Sequence, residues 1–467
     1  MAGLLRRKTI TEQPASQALA RTLSWPHLVA LGVGAIVGTG ILTLIGVGAD
    51  RAGPAVLLSF VVAGAICACA ALCYAEMATA IPASGSAYTY SYAVLGEVIA
   101  WVVGWSLILE YSLVVATVAV GWSGYATGFL KGVGVALPDA LTHGPDLAAG
   151  TVGINVPAVV IIAVVAGLLC LGTRESARIN TALVVLKIVT LALFVAVALP
   201  HFDPANLTPF APYGYGSVAG DGGVKFGMMG AAAIIFFAFY GFDAISTAAE
   251  EAKNPRRDLA IGIVGSMVAC TIIYLVVAAA AVGALSFTRF SNSPEPLALI
   301  LRGIGQNRVA TIVAAAAAIA LPTVILGFLY GQSRIFLVMA RDGFLPESLA
   351  RVSARGTPVR ITVTTAAFVA VIAALTPLDV IASLANAGTL LAFVAVAACV
   401  LVMRRRGGVR SEGFRTPAAW LVAPAAILGC GYLFTSLQVV TQLSFLAWNA
   451  AGLVVYALYG RPRANVG

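Results

Sequence analysis

Two stretches of this sequence place glycines and polar groups inside long apolar runs. The first is Gly32-Val33-Gly34-Ala35-Ile36-Val37-Gly38-Thr39-Gly40. A glycine in a helix interior costs about 1 kcal/mol relative to alanine. Gly38 and Gly40 around Thr39 therefore predict an unwound stretch. Unwinding frees N–H groups at the start of the outer half-helix, where the dipole is positive and a carboxylate fits. The carbonyls that end the inner half suit an ammonium, so one break can hold both ends of a zwitterion. The same glycines would also serve close packing of helices. The second stretch is Phe236-Phe237-Ala238-Phe239-Tyr240-Gly241-Phe242-Asp243-Ala244-Ile245-Ser246-Thr247. Gly241 can interrupt a helix here, and the aromatics either close over a small ligand or serve as bulk. Asp243 is an ionisable group within a span and so a candidate functional group. It is equally suited to cap the outgoing half-helix.

Two further charges sit in apolar surroundings. Lys187 lies centrally in Leu183-Val184-Val185-Leu186-Lys187-Ile188-Val189-Thr190-Leu191, far from an easy reach to either interface. An amine held away from water can load and release a proton, and a fixed ammonium can replace a bound sodium ion. Glu110 follows Trp105-Ser106-Leu107-Ile108-Leu109. It is a candidate partner of Lys187, either in a proton path or in a static buried pair. His27, His143 and His201 fall at predicted helix ends or loops and form neither a metal cluster nor a catalytic pair. The cysteines, among them Cys67, Cys69 and Cys73, lack paired-ligand spacing and read as small hydrophobes. No metal site, cofactor or catalytic residue is expected. The Glu250–Arg257 run reads as a solvated inner loop that could help gate the inner side.

The elements that position these groups follow from composition. Of 467 residues, 60% are hydrophobic and 10% charged, and the mean hydropathy is +0.97. A soluble domain carries roughly 25% charged residues, so the apolar excess must face lipid. Apolar runs of membrane-spanning length predict helices near 27–49, 54–80, 97–130, 154–172, 179–199, 225–250, 258–285, 308–340, 360–376, 380–403, 417–436 and 442–460. Twenty-one of the 28 lysines and arginines fall in segments placed on one side, six on the other, and Lys187 within a span. That bias predicts cytoplasmic termini, and it accounts for the net charge of +9 without nucleic acid. The first 24 residues are polar and basic with no apolar core, so the first span is expected to do the targeting. Interrupted spans one and six, five apart, predict two five-helix repeats of opposite orientation, with a binding site at the breaks. The expected organisation is a cytoplasmic segment 1–24, a ten-helix core 25–403, a loop 404–416, two additional helices 417–460 and a tail 461–467.

From Ser24 to Arg406 the chain resembles the amino acid–polyamine–organocation superfamily, in its cationic amino acid transporter-like branch. The resemblance is strongest at Gly34–Ile41, at Phe236–Glu251, at Tyr330-Gly331-Gln332-Ser333-Arg334 and at Arg341-Asp342-Gly343-Phe344-Leu345-Pro346. It implies an all-α membrane protein of about twelve helices, a five-plus-five inverted repeat and alternating access. It implies a substrate carboxylate on the N–H groups of Gly38, Thr39 and Gly40, and an amino group on carbonyls near Ile36, Val37, Phe237, Ala238 and Tyr240. Gly241 belongs to the same expected site. Lys187 matches the lysine that occupies the sodium position in proton-coupled relatives. In Ala320-Leu321-Pro322-Thr323 the resemblance turns Leu321 toward the substrate side chain, which favours small neutral amino acids. A cationic side chain would need a carboxylate or carbonyl, for which Glu110 or Asp243 are candidates.

The expectation is a secondary transporter of L-amino acids in a bacterial inner membrane, with the proton as coupling ion through Lys187, Glu110 and Asp243. A cationic amino acid transporter or an exchanger of the same fold is the alternative. A membrane-embedded enzyme would need a nucleophile–base pair or metal ligands near one face, and a channel a continuous polar stripe; neither pattern is present. The expected partners are the substrate and the bilayer, with any small single-helix partner left unspecified.

Overall fold

The structure is a computed structural model that describes Arg6 and residues 23–83, 85–145, 152–171, 176–220, 223–249, 252–291, 293–346, 359–406 and 413–463. Most of the basic N-terminal segment, Glu250 and Glu251 lie outside the described residues, and the expected inner gate at Glu250–Arg257 lies partly there too.

The described chain is almost entirely helical, as apolar residues of this density require when no water is present to satisfy an open backbone. The first apolar run folds as three pieces, α1 (Trp25–Ile36), α2 (Thr39–Leu42) and α3 (Leu44–Ala52). They are followed by α4 (Val56–Ala80), α5 (Ser86–Val94), the long α6 (Glu97–Gly132), α7 (Val156–Leu171) and α8 (Ser176–Ala198). A two-stranded ribbon, β1 (Val218–Ala219) with β2 (Lys225–Phe226), precedes α9 (Met228–Ile235) and α10 (Ala244–Thr247). Then come α11 (Pro255–Ala284), α12 (Pro296–Gly303), α13 (Asn307–Ala320), α14 (Pro322–Arg341), α15 (Val359–Leu375), α16 (Leu378–Arg406), α17 (Ala419–Thr435) and α18 (Val439–Val455).

Among the described residues eight helices are long and apolar enough to cross a membrane, and four shorter apolar helices, α1, α7, α15 and α17, accompany them. Each predicted apolar run contains one of these segments. The sixth run begins later than predicted, at Met228, because Lys225 and Phe226 pair with Val218 and Ala219 in the ribbon. Large apolar side chains ring the outside: Leu428, Val440 and Leu458 are 72%, 70% and 77% exposed. A surface of this kind belongs in hydrocarbon. The chain is a multi-pass membrane protein.

Inside, α4 packs on α11, α6 on α14 and α16, and α1 on α11 and α8. Several polar side chains at these contacts are paired, as a dry interior favours. Gln332 donates to Ser112 Oγ at 2.7 Å, and Tyr88 donates to Asp342 at 2.7 Å. Both acceptor–donor pairs involve the motif residues 330–346, which therefore stitch α14 and its C-terminal turn to the α5–α6 region. At the end of α16, Arg404 meets Glu76 of α4 in a two-pronged ion pair at 2.9 and 3.0 Å. The same Glu76 accepts the Thr416 N–H at 2.8 Å. The loop ahead of α17 is thus held against α4. All seven cysteines are free thiols.

Candidate functional site

The first break starts where α1 ends. Val37 turns extended at φ −72°, ψ 101°, and Gly38 follows at φ −157°, ψ −143°. In-helix bonding resumes with the Leu42 N–H to the Gly38 carbonyl at 3.2 Å, which leaves the amides before Leu42 at the free end of the outer half. A second irregularity at Thr43 separates α2 from α3, and the Tyr125 hydroxyl of α6 donates to the Leu42 carbonyl there. The Thr39 and Thr43 hydroxyls are buried and have no hydrogen-bond partner. Both stand beside Gly121 of α6, where a Cβ would come within 3.0 Å of Thr39 Oγ1 and 3.2 Å of Thr43 Oγ1.

The second break follows α9. A 3-10 turn at Phe236–Phe239 leads into extended Tyr240 and then Gly241 at φ +111°. Only glycine suits this position twice over: the torsion disfavours a side chain, and a Cβ would lie 2.7 Å from the Ala35 carbonyl carbon. Gly40 sits in turn directly on the Ala238 backbone. The two breaks therefore cross in backbone contact. Asp243 closes the second break, accepting the Tyr111 hydroxyl at 3.1 Å and the Gly241 N–H at 3.2 Å. Its side chain makes no capping bond to α10, so the capping alternative gives way to a tie back to the glycine. Tyr240 donates to Asn386 Oδ1 on α16, and Asn386 Nδ2 donates to the Ala233 carbonyl at 2.7 Å.

A narrow cavity opens between the breaks. It is lined by Ala35, Ile36, Gly38, Thr39, Gly40, Val114, Val118, Phe237, Tyr240, Val324 and Phe328. Six of the residues expected from sequence are there: Ile36, Gly38, Thr39, Gly40, Phe237 and Tyr240. Val37, Ala238 and Gly241 flank it without lining it. Leu321 is fully buried and is not among the lining residues; Val324 and Phe328, about one and two turns further along, are. Here α13 ends at Ala320 and α14 restarts with Pro322 in its first turn. Sequence reasoning also missed Val114 and Val118. They follow Glu110 at intervals of four on α6, so the inward face marked by the glutamate was the available signal.

Lys187 is 3% exposed, and its Nζ donates to the Gly34 carbonyl at 2.8 Å. The ammonium thus lies against the last turn of α1, two residues before the break. It forms no ion pair with Glu110, contrary to the pairing the sequence allowed. Glu110 lies instead in a buried cluster with Asp243, Tyr74 and Tyr111, and its Oε2 has no hydrogen-bond partner. One unforeseen residue joins the breaks directly. Tyr274 of α11 reaches the Ile36 carbonyl at 2.7 Å and the Ala238 carbonyl at 2.8 Å with a single hydroxyl. Two of the carbonyls expected to receive an amino group already have a donor.

The sequence is similar to those of known proteins over almost the whole chain. The family model described as amino acid permease matches residues 23–459. The branched-chain amino acid permease BcaP of Bacillus subtilis (strain 168) is 44% identical over 99% of both chains. The methylthioribose transporter of the same organism is 40% identical, again over 99% of both. The mitochondrial cationic amino acid transporter 3 of Arabidopsis thaliana is 36% identical over 83% of this chain and 63% of its own length. With its two glycine breaks crossing around a buried cavity, the chain belongs to the amino acid permease family of the amino acid–polyamine–organocation superfamily.

Proposed function

We propose that the protein takes up neutral amino acids with branched or otherwise apolar side chains, coupled to protons and by alternating access. The observation that carries this reading is the lining of the cavity. One end presents Gly38, Thr39 and Gly40, with an unpartnered hydroxyl; the rest is Val114, Val118, Phe237, Val324 and Phe328. None of the lining residues is acidic, so an arginine or lysine side chain would enter without a counter-charge, a costly burial. An aliphatic side chain gains roughly 0.8 kcal/mol per buried CH₂ on the same wall. The 44% identical branched-chain amino acid permease of Bacillus subtilis supports the same choice.

In this reading the twelve apolar segments all cross the membrane, the first ten as the five-plus-five inverted repeat, with cytoplasmic termini. The substrate carboxylate meets the free N–H end at Gly38–Gly40 and the Thr39 hydroxyl. Lys187, bound to Gly34 beside the break, is the proton carrier; the buried carboxyl groups of Glu110 and Asp243 serve the same proton coupling. A methylthioribose-like sugar is the second reading, favoured by the 40% identical relative. The sparse polar lining argues against it, because a sugar needs several hydroxyl partners.

Uptake of labelled leucine into proteoliposomes tests the proposal, with and without an inward proton gradient and with unlabelled arginine or methylthioribose as competitors. Gradient-dependent leucine accumulation that neither competitor reduces is the expected result. Competition by arginine would move the substrate to the cationic class, and competition by methylthioribose to the sugar. Gradient-independent exchange would remove the coupling role of Lys187.

A further inference from the structure

Three main-chain acceptors where the two breaks meet are served by side-chain donors of the protein itself. Lys187 serves the Gly34 carbonyl, and the Tyr274 hydroxyl serves those of Ile36 and Ala238. The hydroxyl carries one proton for two acceptors, so it cannot satisfy both in full. Its position is fixed: Tyr274 is wholly buried, and its ring packs edge-on against Phe60 and Phe239, with centroids at 5.9 and 5.4 Å. Ile36 lines the cavity and Gly40 in the same lining rests on Ala238. Both carbonyl-bearing residues thus stand at the end of the cavity where a zwitterion's charged groups would lie.

We infer that the Tyr274 hydroxyl is a stand-in for the substrate's ammonium group, holding the Ile36 and Ala238 carbonyls when no amino acid is bound. An ammonium brings three donors and a full charge, and charge-assisted bonds are about twice as strong as neutral ones. It therefore serves both carbonyls where the hydroxyl serves them by halves. The hydroxyl competes with the substrate and keeps the two breaks together in its absence. Tyr274 is on this account a positioning residue, tuning affinity rather than creating it. The inference rests on the amino acid reading above.

The test compares the wild type with Tyr274→Phe, which keeps the ring and removes only the donor. Equilibrium binding of labelled leucine to the purified protein is measured beside binding of 4-methylpentanoate, which has the carboxylate and side chain but no amino group. Removing the competitor is expected to tighten leucine binding by up to about tenfold, the worth of one buried hydrogen bond. The binding of 4-methylpentanoate is expected not to improve, and the melting temperature of the empty variant to fall. Unchanged or weaker leucine binding would overturn the inference, as would an equal gain for 4-methylpentanoate. Should the variant not fold, 3-fluorotyrosine at position 274 keeps the shape and makes a stronger donor. Weaker leucine binding is then expected, and unchanged or tighter binding overturns the inference. A wild type that binds no leucine would overturn the amino acid reading and this inference together.

Discussion

The two broken helices share a glycine at the interruption and are finished in opposite ways. At the second break every side chain with a polar tip is tied: Tyr240 to Asn386, Asp243 to Tyr111 and to the Gly241 amide. At the first break the Thr39 and Thr43 hydroxyls are buried without a partner. A buried, unpaired hydroxyl costs roughly 1–3 kcal/mol, and a fold tolerates that where a ligand supplies the missing bond. The comparison assigns different work to the two breaks. The first is the receptor, and the second is a braced wall against which it closes.

Pressing the two breaks apart is the strongest way to disturb this division. Gly40→Leu is expected to abolish leucine uptake altogether. A side chain at this position collides with the Ala238 backbone. Radiolabelled uptake beside a folding check measures it, and normal uptake would mean that the crossing is not needed. A smaller loss is expected from Lys187→Met, which deletes the cation bound to Gly34. Accumulation driven by a pH gradient should vanish while leucine exchange at equal pH persists. Full proton-driven accumulation in that variant would place the coupling group elsewhere.

A change on the apolar wall sharpens the comparison most gently. Val324→Ala enlarges the apolar wall of the cavity, where Val324 packs beside Gly38, and leaves the residues of both breaks unchanged. Losing two methylene equivalents in such a pocket is worth about 1–3 kcal/mol. Leucine affinity should therefore fall by about tenfold relative to that for phenylalanine in competition assays. Equal effects on both amino acids would remove Val324 from the specificity wall.

What the sequence made legible follows from what each residue must do alone. The apolar runs announce their helices because lipid leaves few alternatives. Gly38, Gly40 and Gly241 announce the breaks, since each is anomalous in a helix whatever surrounds it. Lys187 stands out for the same reason, as a charge in an aliphatic run. Partnerships were another matter. Glu110 and Lys187 are natural partners by charge, yet the fold puts one beside Asp243 and the other beside Gly34. Val114, Val118 and Val324 are ordinary residues of membrane helices, and only the packing of α6 against α14 gives them a cavity to line. Tyr274 is one of 14 tyrosines, and its hydroxyl matters only because two separated carbonyls converge on it. Leu321 lies just before the proline that restarts its helix, and Val324 and Phe328 beyond that proline line the cavity.

The claim that the first break is the receptor rests on Thr39, a lining residue of the cavity whose buried hydroxyl lacks any partner in the protein. Thr39→Val replaces that hydroxyl with a methyl of nearly the same shape. The most direct measurement is leucine affinity together with melting temperature for this variant and the wild type. The account predicts at least about tenfold weaker leucine binding, the loss of one hydrogen bond to a charged group. It also predicts a melting temperature that does not fall, because no protein contact is lost. Unchanged affinity, or a loss of stability that accounts for weaker binding, would contradict it.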